Sequence, residues 1–136
     1  MAEEMTIGRL AKAAGVNVET IRYYQRRGLI EEPQKPLGGQ RRYPESALNA
    51  LAFVRRAQNL GFSLDEVKAL MALTETSDCG AARVIAEQKR SVLASRIEEL
   101  ERMRKQLDTF VAACKRNKGK KPCPIVVALW KKEGDL

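Results

Sequence analysis

Apolar residues recur at helical spacing along most of the chain, and the interruptions are sharp. Ile7, Leu10, Ala11 and Ala14 share one face of a short helix that Gly15 breaks. A second helix follows at once. Asn17 suits its N-cap, Val16 and Ile21 are placed as a hydrophobic staple, and Gly28 is its stop. A third is predicted from Pro44, suited to a first helical turn, to Leu60 before Gly61, with Leu48, Leu51, Ala52 and Arg55 spaced along it. Ser63 and Glu66 form a capping box that opens a fourth, whose apolar positions are Val67, Leu70 and Met71, and TETSDCGA turns the chain after it. From about Ala81 to Asn117 there is no proline or glycine. Leu93, Ile97, Leu100, Met103, Leu107, Val111 and Cys114 follow one another there at steps of three or four, while the other faces carry Arg, Lys, Glu and Gln. A narrow stripe on a lone helix of this length has no core within its own chain, so it is expected to bury against another chain as a coiled coil. The tail from Ile125 is apolar and then charged, and suits a short helix.

The spacing of Ala11, Gly15 and Ile21 is that of a helix-turn-helix: a small residue where two helices cross, a glycine for the turn, and a branched apolar residue locking the second helix. A plain helical hairpin shares that spacing. The second helix, however, exposes Thr20, Arg22, Tyr23 and Arg26, all able to donate to phosphates or bases, which favours DNA. Next comes EEPQKPLGGQRRYP, where prolines and Gly38-Gly39 exclude a helix. A short hairpin projecting Gln40, Arg41, Arg42 and Tyr43 is predicted, and a basic loop after a recognition helix reads as a wing.

Composition narrows the class. The chain has 136 residues, 44% hydrophobic and 31% charged but only 5% aromatic, so its burial must rest on aliphatic side chains at helical spacing. One domain of ordinary size, or a small one with a long helical extension, is the limit. The net charge of +8 makes a polyanion the leading partner, with an anionic membrane surface as competitor. Through residue 60 there are ten Lys or Arg against six Asp or Glu, so +4 of that charge lies in the first half. No apolar run approaches the roughly 20 residues of a membrane span. The N-terminal MAEEMTIGRL has an acidic pair where a signal peptide is basic, so a cytoplasmic protein without membrane association is expected.

The three cysteines, with no histidine anywhere, carry the remaining chemistry. An odd number excludes a complete intrachain disulfide framework. A helix from Ala81 to Cys114 is about 50 Å long at roughly 1.5 Å per residue, too long for Cys79 to meet Cys114 of the same chain. If two chains pair antiparallel, Cys79 of one comes near Cys114 of the other, at two symmetry-related places. Cys123 follows after eight residues that include Asn117, Gly119 and Pro122, enough to fold back onto the helix end. Each place then has three thiols, two from one protomer and one from its partner. Such a set suits a soft ion that accepts trigonal coordination, mercury(II), lead(II) or arsenic(III), better than four-coordinate zinc. Lys115, Arg116, Lys118, Lys120 and Lys121 favour thiolate there. Packing is the competing role of Cys114, and a solvated loop that of the basic run. A disulfide sensor using Cys79 and Cys114 leaves Cys123 idle. An enzyme lacks support, since the chain has no Cys-x-x-Cys pair, no histidine base and no glycine-rich nucleotide loop.

Together TIGRLAKAAGVNVETIRYYQRRGLI, GGQRRY and LGFSLDEVKALM resemble the MerR family of bacterial transcription regulators, and the likeness covers nearly the whole chain. Cys79, Cys114 and Cys123 followed by Pro124 look like those of its mercury-sensing members, although lead and cadmium sensors place cysteines similarly. The resemblance implies a mainly α chain: a winged helix-turn-helix over 1–43, a connecting helical pair over 44–78, a dimerisation helix over 79–117, and a metal-binding loop and tail over 118–136. It implies a homodimer on double-stranded promoter DNA with RNA polymerase, repressing when metal-free. One Hg(II) at each three-cysteine site then acts as inducer by distorting the DNA. Thr20, Arg22 and Tyr23 of the second helix and Arg41, Arg42 and Tyr43 of the wing are the residues assigned to DNA.

Overall fold

The structure is a computed structural model that describes residues 4–131. Six helices follow one another: α1 (Ile7–Ala14), α2 (Val18–Arg26), α3 (Glu45–Asn59), α4 (Leu64–Ala72), α5 (Cys79–Arg116) and α6 (Pro124–Trp130). Two compact units divide between Lys89 and Arg90, within α5.

In the first unit α1 packs on α2 and α3, and α3 packs on α4. Leu10, Ile21, Leu51, Val54 and Val67 are fully buried between them. Each contributes about 1.5–3 kcal/mol of transfer free energy. This one core serves both the expected 1–43 and 44–78 regions. The turn between α1 and α2 is as the spacing predicts. Gly15 takes the left-handed conformation (φ 71°), and Asn17 caps α2 by accepting the Thr20 amide at 2.8 Å. Arg55 stands apart from the stripe expected on α3. Its guanidinium donates to the carbonyls of Ala14 and Gly15, at 2.8 and 3.1 Å, and so satisfies the end of α1. The buried face of α3 is instead Ala47, Leu51, Val54 and Ala57.

Two helix starts differ from expectation by short steps. Pro44 is the N-cap of α3 and not part of its first turn. The long helix begins at Cys79, the start the resemblance implies and two residues before the one the apolar pattern indicates, because the Asp78 carboxylate accepts the Ala81 amide at 3.0 Å and caps that end. The wing is a larger correction. No strand forms among the described residues, and the expected hairpin is replaced by irregular chain with a turn in which the Gly39 amide donates to Pro36 at 3.2 Å. Pro33 and Pro36 have no N–H to give a ladder. The one pairing at its end is an isolated antiparallel bridge between Tyr43 and Met5.

The capping box of α4 is present, Ser63 accepting from the Glu66 amide while the Glu66 carboxylate accepts the Ser63 amide at 2.7 Å. That carboxylate also holds Lys89 of α5 at 2.9 Å. The Ser63 amide first, and then Lys89, keep Glu66 below the usual carboxylate range. A depressed folded pKa contributes stability that is complete above the unfolded value and is lost as pH falls through the folded one. Glu66→Ala is therefore expected to cost about 1 kcal/mol at neutral pH. The deficit should shrink below about pH 4, where the unfolded carboxyl protonates. Urea unfolding of both proteins at neutral pH and at about pH 3 measures it.

Helix α5 runs 38 residues and contains no buried residue. In the second unit Leu93, Ile97, Leu100, Met103, Leu107 and Val111 are all exposed by between 42 and 65%. The stripe read from the sequence is thus present and uncovered in the single chain.

Candidate nucleic-acid interface and thiol groups

The interface is built on α2 and the wing, both in the first unit. A cleft of about 630 Å³ is lined by Arg22 and Arg26 of α2 and by Lys35 and Arg41 of the wing, with Glu32 its one carboxylate. Four cations around a concave surface suit a phosphate backbone. Arg22 is half-exposed and held by Glu19 at 2.8 Å, one helical turn away. Arg41 does more than project. Its Nε donates to the Pro33 carbonyl and meets the Glu32 carboxylate, both at 3.0 Å, tying the wing's exit to its entry. Arg42 is exposed.

Thr20 and Tyr23 lie elsewhere on α2. The Thr20 hydroxyl donates to Asn17 Oδ1 at 2.9 Å, so its oxygen is tied into the cap. The Tyr23 ring is 41% exposed and flanked by Arg26 and Arg27, whose Cζ atoms lie 5.7 and 5.8 Å from its centroid. Tyr43, expected to project from the wing, does not. It is 2% exposed, sits in the core, and its hydroxyl accepts from Gln25. The bridge to Met5 turns the ring inward, and its visible role is to anchor the wing against α2.

Two of the thiols come together in the second unit. The loop after α5 folds back on itself, with Asn117 donating from its side chain to the carbonyls of Lys120 and Pro122. This brings Cys123 near enough to Cys114 for that side chain to act on its thiol. Cys123 is the N-cap position of α6 and Pro124 follows at the first turn. The amides of Val126 and Ile125 lower its thiol pKa most, and Cys114 lowers it further. At Cys123 the start of the helix thus favours thiolate, a cause that the expectation from the basic run does not include. The signal lay in the Cys-Pro pair, a cap residue before an N1 proline. Cys79 is exposed, at the first residue of α5 in the first unit. Among the described residues, no group of three or more metal-binding side chains forms within one chain.

Residues 5–74 match the MerR HTH family regulatory protein, and residues 48–110 match the region described as MerR, DNA binding. The chain belongs to the MerR family. It is accordingly a DNA-binding transcription regulator and not an enzyme, and its helix-turn-helix is the family's. This MerR-family chain is 46% identical over 132 residues to the mercuric resistance operon regulatory protein of Shigella flexneri, spanning 97% of this chain and 92% of that one. Among solved structures it is similar to MerR from Bacillus megaterium MB1 in complex with mercury(II), with 32% identity, a TM-score of 0.73, and 93% and 100% of the two chains covered. It is also similar to PbrR691 from Ralstonia metallidurans CH34 in complex with lead(II), with 29% identity, a TM-score of 0.79, and 92% and 98% covered. No helix among the described residues is long and apolar enough to cross a membrane.

Proposed function

We propose that the protein is a mercury(II)-responsive regulator that represses a metal-resistance promoter when metal-free and activates it when Hg(II) binds. The observation that carries this reading is the fold-back of the loop after α5, which sets Cys123 at the start of α6, where the first-turn amides and then Cys114 favour its thiolate. Thiolate sulfur is the donor a soft cation selects. The likeness to a mercuric resistance operon regulatory protein over nearly the full length supports the same ion.

The third ligand is Cys79 of the partner. Cys79 and Cys114 are separated by most of a helix of roughly 1.5 Å rise per residue, so one chain cannot bring them together. Antiparallel pairing of two α5 stripes brings each Cys79 to the other chain's Cys114 and Cys123, giving two three-sulfur sites per homodimer. A bound soft cation supplies a link across the dimer, with one Hg(II) per site. Cys79 opens the helix that Lys89 ties to α4, so a pull on Cys79 acts on the DNA-binding unit. Thr20, Arg22 and Tyr23, with Arg41 and Arg42, hold promoter DNA while the two heads shift. The resulting bend and untwisting realign the promoter for RNA polymerase already there, in the cytoplasm. Tyr43 serves this DNA contact from within, by holding the wing.

Likeness to a lead(II)-bound regulator favours one second reading, the same site and mechanism with Pb(II) as inducer. Titration of the reduced dimer with Hg(II) and with Pb(II), under excess small thiol, separates the two. The ultraviolet thiolate-to-metal band is expected to saturate at one Hg(II) per three-cysteine site. Saturation by Pb(II) alone moves the inducer to lead, and saturation by neither removes the metal site.

A further inference from the structure

We propose that Arg27 is a positioning residue for DNA recognition, holding the phenol of Tyr23 toward the duplex from an anchor on Asp65. Arg27 is the C-cap of α2, one residue past the recognition helix. Its Nη1 donates to the Tyr23 hydroxyl at 2.9 Å, and its Nη2 meets the Asp65 carboxylate at 2.8 Å. One planar guanidinium thus joins the exposed tyrosine of α2 to the first turn of α4. Lysine, with a compact ammonium on a flexible stem, lacks this two-pronged geometry.

The backbone at each end of the tie is set, while the side chains are exposed, that of Asp65 by 88%. Asp65 follows Ser63 and Leu64, and its backbone is set by the Ser63–Glu66 capping box. On the other side, the Tyr23 ring lies 6.2 Å from that of Tyr24, which is 7% exposed and bonded through its hydroxyl to Gln58 at 2.9 Å. The exposed phenol and carboxylate are the loose elements, and Arg27 ties each to the other. A hydroxyl that accepts from a cation keeps its own proton to give, and a phosphate oxygen is the acceptor a duplex offers. Arg27 has two hydrogen bonds of its own already, and Asp65 offsets its charge, so its role is orientation and not phosphate neutralisation.

The inference rests on the reading of Tyr23 as a DNA contact, and the test separates the two. The probe is a duplex selected from a random-sequence pool by the wild-type dimer, with affinity followed by fluorescence anisotropy over a range of salt. Tyr23→Phe is expected to weaken binding; no loss sinks the Tyr23 contact and the present inference with it. Arg27→Lys, which keeps the charge, is expected to weaken binding roughly three- to tenfold, the scale of one charge-assisted hydrogen bond partly screened by solvent. Its salt slope should not change. In the Tyr23→Phe background the same substitution should have no further effect, because the group it orients is gone. Asp65→Asn should reproduce part of the loss, again only when Tyr23 is present. An equal loss from Arg27→Lys in both backgrounds overturns the positioning role, as does no loss in either. Full rescue by lysine, with an Arg27→Gln salt slope reduced by about one, makes Arg27 a phosphate contact instead.

Discussion

Cys79→Ser is expected to abolish the mercury response while leaving the fold and DNA binding intact. The residue is exposed at the start of α5 and buries nothing, so its loss costs little stability. The neighbouring pair, Cys114 and Cys123, survives. Two sulfurs compete poorly with excess small thiol for an ion that thiol binds linearly, whereas three fixed sulfurs compete well. The loss of affinity should be roughly a hundredfold or more, since removal of even an outer partner of a metal site costs about 10–100-fold. Complementation makes the test sharper. A Cys79→Ser chain paired with a chain carrying Cys114→Ser and Cys123→Ser has one dead site and one whole site. Mixed dimers should therefore recover half the wild-type stoichiometry, although neither parent binds. Undiminished binding by Cys79→Ser dimers would leave a dithiol loop site and remove the cross-chain mechanism.

The second large effect is expected from the stripe of α5. Ile97 and Leu100 are 65% and 49% exposed in the single chain. In a symmetric pairing each is covered twice, and each fully buried aliphatic side chain contributes about 1.5–3 kcal/mol. The double substitution Ile97→Glu and Leu100→Glu removes four such contacts per dimer and places carboxylates on the seam. Dissociation to monomers at micromolar protein is the expected outcome, read by sedimentation, with loss of both mercury binding and tight operator binding. Glutamate is a good helix former, so circular dichroism should show the helices of the first unit unchanged. A variant that stays dimeric would place the interface on another face.

Much of this was legible in the residues because its causes are local. Asn17 and the Ser63–Glu66 box cap the helices expected of them, and Gly15 makes the turn, since each acts within one helical turn. The α5 stripe was legible for the same reason, its period being a property of the helix alone. What the sequence did not show depends on partners far along the chain. Tyr43 reads as an exposed wing residue until Met5, 38 positions earlier, pairs with its backbone and turns it into the core. Arg55 reads as part of a stripe until the end of α1 accepts its protons. Arg27 gave no signal, because Asp65 lies 38 residues away. At Cys123, the fold-back of the loop was legible, but the lowering of its pKa by the helix start was not. It arises from the amides that open α6, and those exist only once the helix has formed.

Helix α5 has 38 residues and no buried side chain. Beyond the tie of Lys89 to Glu66, nothing in its own chain covers the stripe from Leu93 to Val111, so burial of that stripe needs a second molecule and obeys mass action. The same holds for any chemistry divided between its two ends on different protomers. A site with ligands from both chains has an occupancy that depends on protomer concentration as well as on free ion. If the site is divided in the proposed way, then below the dissociation constant of the dimer the detector does not become weaker; it ceases to exist. The smallest amount of ion to which a cell can respond is then set partly by how many copies of this protein it maintains.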